Sequence, residues 1–423
     1  MYNILNFGAV TDGKTVCTAA IQHAIDECHK NGGGRVIIPT GEFVSGTLWL
    51  RDKVELHLEM GAVLRASGDL ADYNAEDAYP QNFASANEGW WGKHLIVALE
   101  CQNVAITGLG TLDGNSEAFV ESPPRPPKHN TYGWRRGYVR ERDPEMRRPG
   151  PMVCFVESRY ITVKDVTMRN GTCWSCLFHG CEYVDARGIK VFNSPCALNT
   201  DGIDIDCCRF VTVSDCIIHT GDDALTVRCT AQFLKNKDMP SEYIAITNCT
   251  CSVSACGVRI GVGTGVIRHV RISNLTIEGA GTGIKYMTSY GGRGRAEIED
   301  VNFSNVSIEN VGFPIELLGD VGSIRHVTLD NIRARGMAGI RILGEGDCAM
   351  EDIALRNVDI TVTPDVEMTE SRRRLRGKYP ICVHNVRGAL LDGVRVFHED
   401  DETDWEDVFD GSGSDLAVRN CNF

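Results

Sequence analysis

Three aspartates stand out by type and spacing: Asp201 in "NTDGIDID" and the adjacent Asp222 and Asp223 in "HTGDD", with Asp222 following Asp201 by 21 residues. If the residues between them make one coil of a stacked sheet, Asp201 lies beside Asp222 and Asp223, about one inter-strand spacing away. Clustered carboxylates can divide acid and base work. One protonates a leaving oxygen, another activates water, and like-charge crowding raises the pKa of one member so that it keeps its proton near neutral pH. Inverting hydrolysis of a glycoside needs such a set, with carboxyl groups about 6.5 to 9.5 Å apart. A plainer account also exists, because Asp-Gly and Gly-Asp-Asp are ordinary turn sequences and stacked coils use Asn and Asp in hydrogen-bond ladders.

The elements that must position these groups are legible as a repeat. From about residue 95, segments such as "SRYITVKDVTMRNG", "CRFVTVSDCIIHTG" and "IRHVRISNLTIEGA" share a polar start, an alternating apolar strand, an Asn/Asp/Gly turn and a second short strand. The aligned positions Ile161, Val184, Val211, Ile244, Val270, Val301, Val327 and Ile353 are separated by 23, 27, 33, 26, 31, 26 and 26 residues. Periods in this range mark solenoids or arrays, and the period-2 alternation makes the elements strands. No unit has room for a helical pair, and a propeller blade needs about 40 residues. The expected fold is therefore all-β, a right-handed parallel β-helix with an inward row of Val, Ile, Leu and Cys.

Such a stack needs closed ends. In "TVCTAAIQHAIDECHK", Ile21, Ala24, Ile25 and Cys28 fall on one helical face before "NGGG", which predicts an amphipathic capping helix ended by glycine rather than a phosphate loop, since the P-loop lysine is missing. The expected organisation is a single domain over 1–423: an N-terminal cap over 1–60, coils from about 95 to 423, and loop insertions near 115–150 and 364–380. The first insertion interleaves Arg125, Lys128, Arg135, Arg136, Arg140, Arg142, Arg147 and Arg148 with Tyr132, Trp134 and Tyr138. It reads either as a solvated loop or subunit contact, or as a basic, aromatic overhang on a cleft for a sugar or anion. "SRRRLRGK" at 371–378 is a second basic block, and the tail "HEDDETDWEDVFDGSGSD" reads as a solvated acidic segment.

With 57 acidic and 43 basic residues the formal charge is −14, so the average surface repels nucleic acid and anionic lipid, and neither is expected as a partner. No run of 18 apolar residues occurs. "MYNILNFGAVTDGKTVC" has no basic leader and apolar core, so a cytoplasmic location is expected. The eighteen cysteines scatter through strand-like runs and read as reduced core thiols rather than a disulfide framework or a metal site.

"NTDG" followed by "GDD", together with "FGAVTDGKT", "GGGRVIIPTGEF", "GTLDG", "RRPGPMVCF" and "NGTCWSCLFHGCEYV", resembles glycoside hydrolase family 28, the polygalacturonase and rhamnogalacturonase group of β-helix enzymes. The resemblance covers most of the chain. It implies Asp222 as general acid, Asp201 and Asp223 as the pair that activates water, and Lys285 in "GIKYM" as the cation for a substrate carboxylate. Asn199 of the same motif, His179, Cys256 and Arg259 complete the expected substrate-binding set. Two departures stand out. In "SACGVRIG", Cys256 replaces the family histidine and Arg259 a small polar residue, while the Arg-Ile-Lys motif is reduced to Gly283-Ile284-Lys285. A guanidinium at 259 suits a uronate carboxylate, though it equally suits a plain ion pair. Cys256 has no histidine partner to make it a nucleophile, and His219 and His179 read as structural neighbours of the cleft.

The expected protein is an inverting, exo-acting glycoside hydrolase of acidic, pectin-derived oligosaccharides, without cofactor or metal and with a homo-oligomer possible. Two other readings keep the fold: a carbohydrate-binding β-helix whose catalysis has lapsed, and a polysaccharide lyase using a basic residue beside a bound cation.

Overall fold

The computed structural model describes every residue except 84, 86–89, 122–139, 142–147, 365–377 and 400–404. Among the described residues, one continuous sheet of 34 strands winds through the chain, and its pairings are parallel. Each coil contributes to three faces. The first contains Ile96–Leu99, Val153–Val156, Cys176–His179, Ile203–Asp206 and Leu225–Cys229. The second contains Gln102–Gly108, Arg159–Lys164, Glu182–Arg187 and Arg209–Ser214. The third contains Thr111–Asp113, Thr167–Arg169, Lys190–Phe192 and Ile217–Thr220.

The register follows the repeat read from the sequence: Ile161 pairs with Val184, Val184 with Val211, Val211 with Ile244, Ile244 with Val270, Val270 with Val301 and Val327 with Ile353. These inward positions are at most 3% exposed, so a one-residue slip would turn the whole apolar row to solvent. The unequal steps are absorbed between strands. Val104 pairs with Ile161 across 57 residues, so the coils on either side of the first insertion stack in register.

Helix Thr18–Lys30 buries Ile21, Ala24, Ile25 and Cys28 against the first coil and ends at Asn31. Gly33 has φ 99°, and a Cβ there would lie 2.4 Å from the Lys53 carbonyl oxygen, which explains the glycine run. The sequence boundary for the coils needs correction. Gly34–Ile38 pairs with Val54–Leu58 and Gly41–Ser45 with Ala62–Ala66, so stacking begins immediately after the helix rather than near residue 95. Those first coils were hidden because they lack the recurring Asn/Asp turn. All eighteen cysteines are free thiols, and all but Cys348 and Cys421 are buried. No helix of the described residues is long and apolar enough to cross a membrane.

Candidate active site

Asp201 and Asp223 each lie two residues before a first-face strand, and those strands pair with Ile203 opposite Leu225. The turns are locked together by backbone. Gly202 N–H donates to the Asp223 carbonyl oxygen at 2.9 Å, and Ser175 N–H to that of Asp201 at 2.8 Å. The motif glycines are required by close approach: a Cβ on Gly202 would sit 2.4 Å from the Ala224 oxygen, and one on Gly221 2.2 Å from that of Ala197. Thr200 ties the two turns, its hydroxyl donating to the Ala197 oxygen at 3.0 Å and accepting from Gly221 N–H at 3.1 Å.

This arrangement gathers the three carboxylates. One oxygen from each of Asp201, Asp222 and Asp223 lies within 4.8 Å of the others. This is the approach of the nearest oxygens, a different measure from the separation of about 6.5 to 9.5 Å between the carboxyl groups of an inverting pair, and it reflects adjacent coils stacked at one inter-strand distance. Two hydrogen bonds of about 2.8 Å span such a gap, so one water can be shared across it. The spacing would also admit a cation, but an acidic cluster alone is no argument for one.

The three differ in surroundings. Asp201 is 4% exposed and its Oδ1 has no hydrogen-bond partner among the described residues. Burial, then the charge of Asp222, then those of Asp204 and Asp223, hold its pKa well above the ordinary carboxylate range, with Arg228 opposing. Asp222 accepts Asn199 N–H at 3.0 Å on Oδ2 and Asp223 N–H at 3.1 Å on Oδ1. Asp223 is gripped by Arg259, with Nε 2.5 Å from Oδ2 and Nη2 donating to Oδ1 at 3.0 Å, while Cys256 N–H donates to the same Oδ1 at 2.9 Å. A cavity of about 50 Å³ opens on the cluster, lined also by Trp174, Arg228, Arg259 and Tyr290.

The other residues expected from sequence divide into two groups. Asn199 belongs to the site: it has φ 54°, and its side-chain oxygen accepts Arg148 Nη2 at 2.7 Å, so the last residues of the first insertion reach the cleft. Of the basic insertion, Arg125, Lys128, Tyr132, Trp134, Arg135, Arg136, Tyr138, Arg142 and Arg147 lie outside the described residues, as does 371–377 of the second block. Cys256 contacts the cluster through its backbone, and burial pushes its thiol up to about 12, which suits a packing role rather than a nucleophile.

Lys285 and His179 are held by partners outside the cluster. Lys285 is paired inward, Nζ 3.1 Å from Glu316 Oε2, instead of presenting an open cation. His179 is 1% exposed beneath Phe83, whose ring centroid is 5.9 Å away, and its Nε2 meets the Thr230 carbonyl at 3.1 Å; it does not line the cleft. His219 is exposed on the third face against Phe192.

The sequence reading passed over Trp174, Arg228, Tyr290, Asp204 and Glu316. Arg228 lies 4.5 Å over the Trp174 ring and reaches Asp204 Oδ1 at 3.8 Å. Asp204 is fully buried, and burial raises its pKa to about 7 despite Arg228 and a hydrogen bond from Thr226. The signal was the alternation in Ile203–Asp206, which turns both isoleucines inward and leaves Asp204 and Asp206 on the cleft side. Tyr290 and Arg293 exchange backbone hydrogen bonds of 2.8 and 3.1 Å around Gly291 and Gly292, both with positive φ, a tight hairpin turn that sets Tyr290 5.5 Å from the Arg259 guanidinium.

The described fold is a right-handed parallel β-helix with an aspartate cluster where two coils meet. A profile for glycosyl hydrolases family 28 matches residues 28–371, and the chain belongs to that family. It is 26% identical over 299 residues to a probable polygalacturonase of Vitis vinifera, covering 68% of this chain and 57% of that protein. It is 28% identical over 282 residues to an exo-poly-alpha-D-galacturonosidase of Dickeya chrysanthemi, covering 58% and 45%. The chain thus spans about half the length of these curated relatives. Among solved structures, the family 28 exopolygalacturonase of Yersinia enterocolitica superposes with TM-score 0.76 at 20% identity, over 99% of this chain and 77% of that one. The exopolygalacturonase of Thermotoga maritima gives 0.65 at 22% identity, over 99% and 91%. At such identities these two likenesses speak to the right-handed β-helix fold.

Proposed function

We propose that the protein hydrolyses α-glycosidic bonds in pectin-derived or related acidic oligosaccharides, acting from a chain end and inverting the anomeric centre. The observation that carries this reading is the division of labour in the carboxylate cluster. Burial, then the charge of Asp222, holds the pKa of Asp201 well above the ordinary carboxylate range, so the cluster resists carrying a full set of negative charges. Asp223 is instead paired with the Arg259 guanidinium and accepts the Cys256 N–H. The cluster therefore holds an acid and a base together near neutral pH, the requirement of glycoside hydrolysis.

In the step itself, Asp222 delivers a proton to the glycosidic oxygen as that oxygen leaves the anomeric carbon. A water between the carboxylates attacks the same carbon from the opposite face and gives its proton to Asp223. One water is consumed, and the net change within the cluster is one proton moved from Asp222 to Asp223. The exo mode is supported by Arg148 reaching Asn199 from the first insertion, which brings a cation to one side of the cleft, and by the similarity to the exo-poly-alpha-D-galacturonosidase of Dickeya chrysanthemi.

The test is product analysis by NMR and mass spectrometry with homogalacturonan, rhamnogalacturonan and pectic oligosaccharides, comparing wild type with Asp222→Asn. Release of a terminal uronic acid that first appears as the β anomer, by wild type alone, is the expected result. A first-formed α anomer would overturn inversion, and an unsaturated product absorbing in the ultraviolet would overturn hydrolysis.

A further inference from the structure

Arg259 faces two ways. Toward the cluster it grips Asp223, but its other donors are poorly used. Nη1 meets the Met287 sulfur at 3.3 Å and Nη2 the Cys256 sulfur at 3.4 Å, both weak acceptors. Nε is close to Asp223 yet makes no aligned hydrogen bond to any described residue, although it is buried. A buried guanidinium with donors spent on sulfur is an unusual expense, since each N–H would gain more from an oxygen. Arg259 also lines the cavity onto which Asp222 and Tyr290 open.

The second cation of this face is different. Lys285 pairs in register with Arg259 on the neighbouring strand, but its carboxylate, Glu316, also receives Thr282 Oγ1 at 3.0 Å and Arg341 Nη1 at 2.9 Å. That centre is saturated. Arg259 is the cation whose bonding a ligand can improve.

We propose that Arg259 is a substrate-operated clamp on the base, an inference that rests on the hydrolase reading and deepens it. Without substrate, the guanidinium holds both oxygens of Asp223 and keeps them from a water. A substrate carboxylate takes the sulfur-facing and Nε donors, draws the guanidinium off Asp223, and frees Asp223 to accept a proton from water. A neutral sugar has no group to make that exchange, so it binds in a site whose base stays clamped. Discrimination for acidic substrates then lies in kcat, whereas a simple binding arginine places it in KM. The replacement of a small residue by arginine at 259 and of histidine by cysteine at 256 fit together: the cysteine supplies a weak acceptor that a ligand displaces.

Two readouts test the clamp. Wild type and Arg259→Gln are assayed on digalacturonate and on its fully methyl-esterified form. The clamp gives wild type a kcat at least about 100-fold higher on the acid, a difference comparable with the effect of one oriented charged donor. Arg259→Gln leaves Asp223 unclamped for both substrates and so reduces that ratio to within about 5-fold through a rise in kcat on the ester. Equal wild-type kcat on both substrates, or an Arg259→Gln variant that raises KM while keeping kcat, overturns it.

The second readout is calorimetry of both ligands at pH 6 in two buffers of different ionisation enthalpy, on wild type under single-binding conditions, on Asp222→Asn to bind without turnover, and on Asp223→Asn. Freeing Asp223 predicts proton uptake with digalacturonate, none with its ester, and none with either ligand in Asp223→Asn. Identical proton exchange for acid and ester overturns the clamp even where turnover is seen. If wild type turns over neither compound, the hydrolase reading fails on these sugars, and acid-specific proton uptake still supports the clamp while its absence rejects it.

Discussion

Two buried acidic centres lie on one face of the solenoid, and they are built in opposite ways. Glu316 is 2% exposed and accepts from Thr282, Lys285 and Arg341; against the opposing effect of burial, the charges of Lys285 and Arg341 and the hydrogen bonds from Lys285 and Thr282 hold its pKa below the usual value. Asp201 and Asp204 are as deeply buried, yet Asp201 Oδ1 and Asp204 Oδ2 have no hydrogen-bond partner among the described residues and both groups are shifted upward. Burying a charge without partners is costly. Where the chain satisfies a carboxylate it is holding coils together. Where it leaves one unsatisfied it is storing a proton beside a cleft, at the expense of stability. The contrast locates function from bonding alone, because both centres have acidic and basic residues at similar density.

The sharpest way to break this comparison is to remove a carboxylate from each centre. Asp222→Asn should lower kcat by about 10³-fold or more, in line with loss of a general acid, while leaving the unfolding midpoint close to wild type. Glu316→Ala should do the reverse. Leaving Lys285 and Arg341 without their buried counter-charge should cost about 3 to 5 kcal/mol in urea unfolding, and a stability change near zero would show that Glu316 is not a structural centre.

The pH dependence separates the centres by sign. Asp204 keeps its proton up to about 7 in the folded state and loses it near 3.8 when unfolded. Folding is therefore penalised progressively as pH rises from about 4 to 7 and not below that range. Asp204→Asn should raise the melting temperature at pH 7.5 and leave it nearly unchanged at pH 4. Glu316, with its folded pKa lowered, contributes stability above its unfolded value near 4.5 that is lost as pH falls through the folded value, so Glu316→Gln should lose its destabilising effect in acid. The smallest effect expected is for Tyr290→Ala. Its ring is half exposed on a tight turn beside Arg259, and its removal should raise KM less than about 10-fold with the fold intact. A large loss of stability there would move Tyr290 from the cleft wall to the scaffold.

How much of this was legible beforehand depends on the range of the interaction. The alternation around Ile161, Val184 and Val211 named strand, face and register together, since period-2 patterning and a repeat leave one consistent stacking. Asp201, Asp222 and Asp223 were found because their 21-residue spacing is one coil. The two coils before residue 95 escaped because their turns differ in sequence, although "VELHL" and "AVLRA" alternate as the later strands do. His179 was misplaced because the segment that covers it, around Phe83, comes from an irregular stretch with no periodic signal.

By itself, then, the sequence determined the solenoid, the capping helix and the gathering of three aspartates, because each follows from local periodicity multiplied along a stack. Only the tertiary structure decided which charges are spent and which are held ready. Lys285 and Arg259 read alike as cations one coil apart, and what distinguishes them is Glu316 with Arg341 on one side and Asp223 with two sulfurs on the other. Hydrogen-bond saturation is set by atoms from several coils meeting at one point, which no single segment encodes.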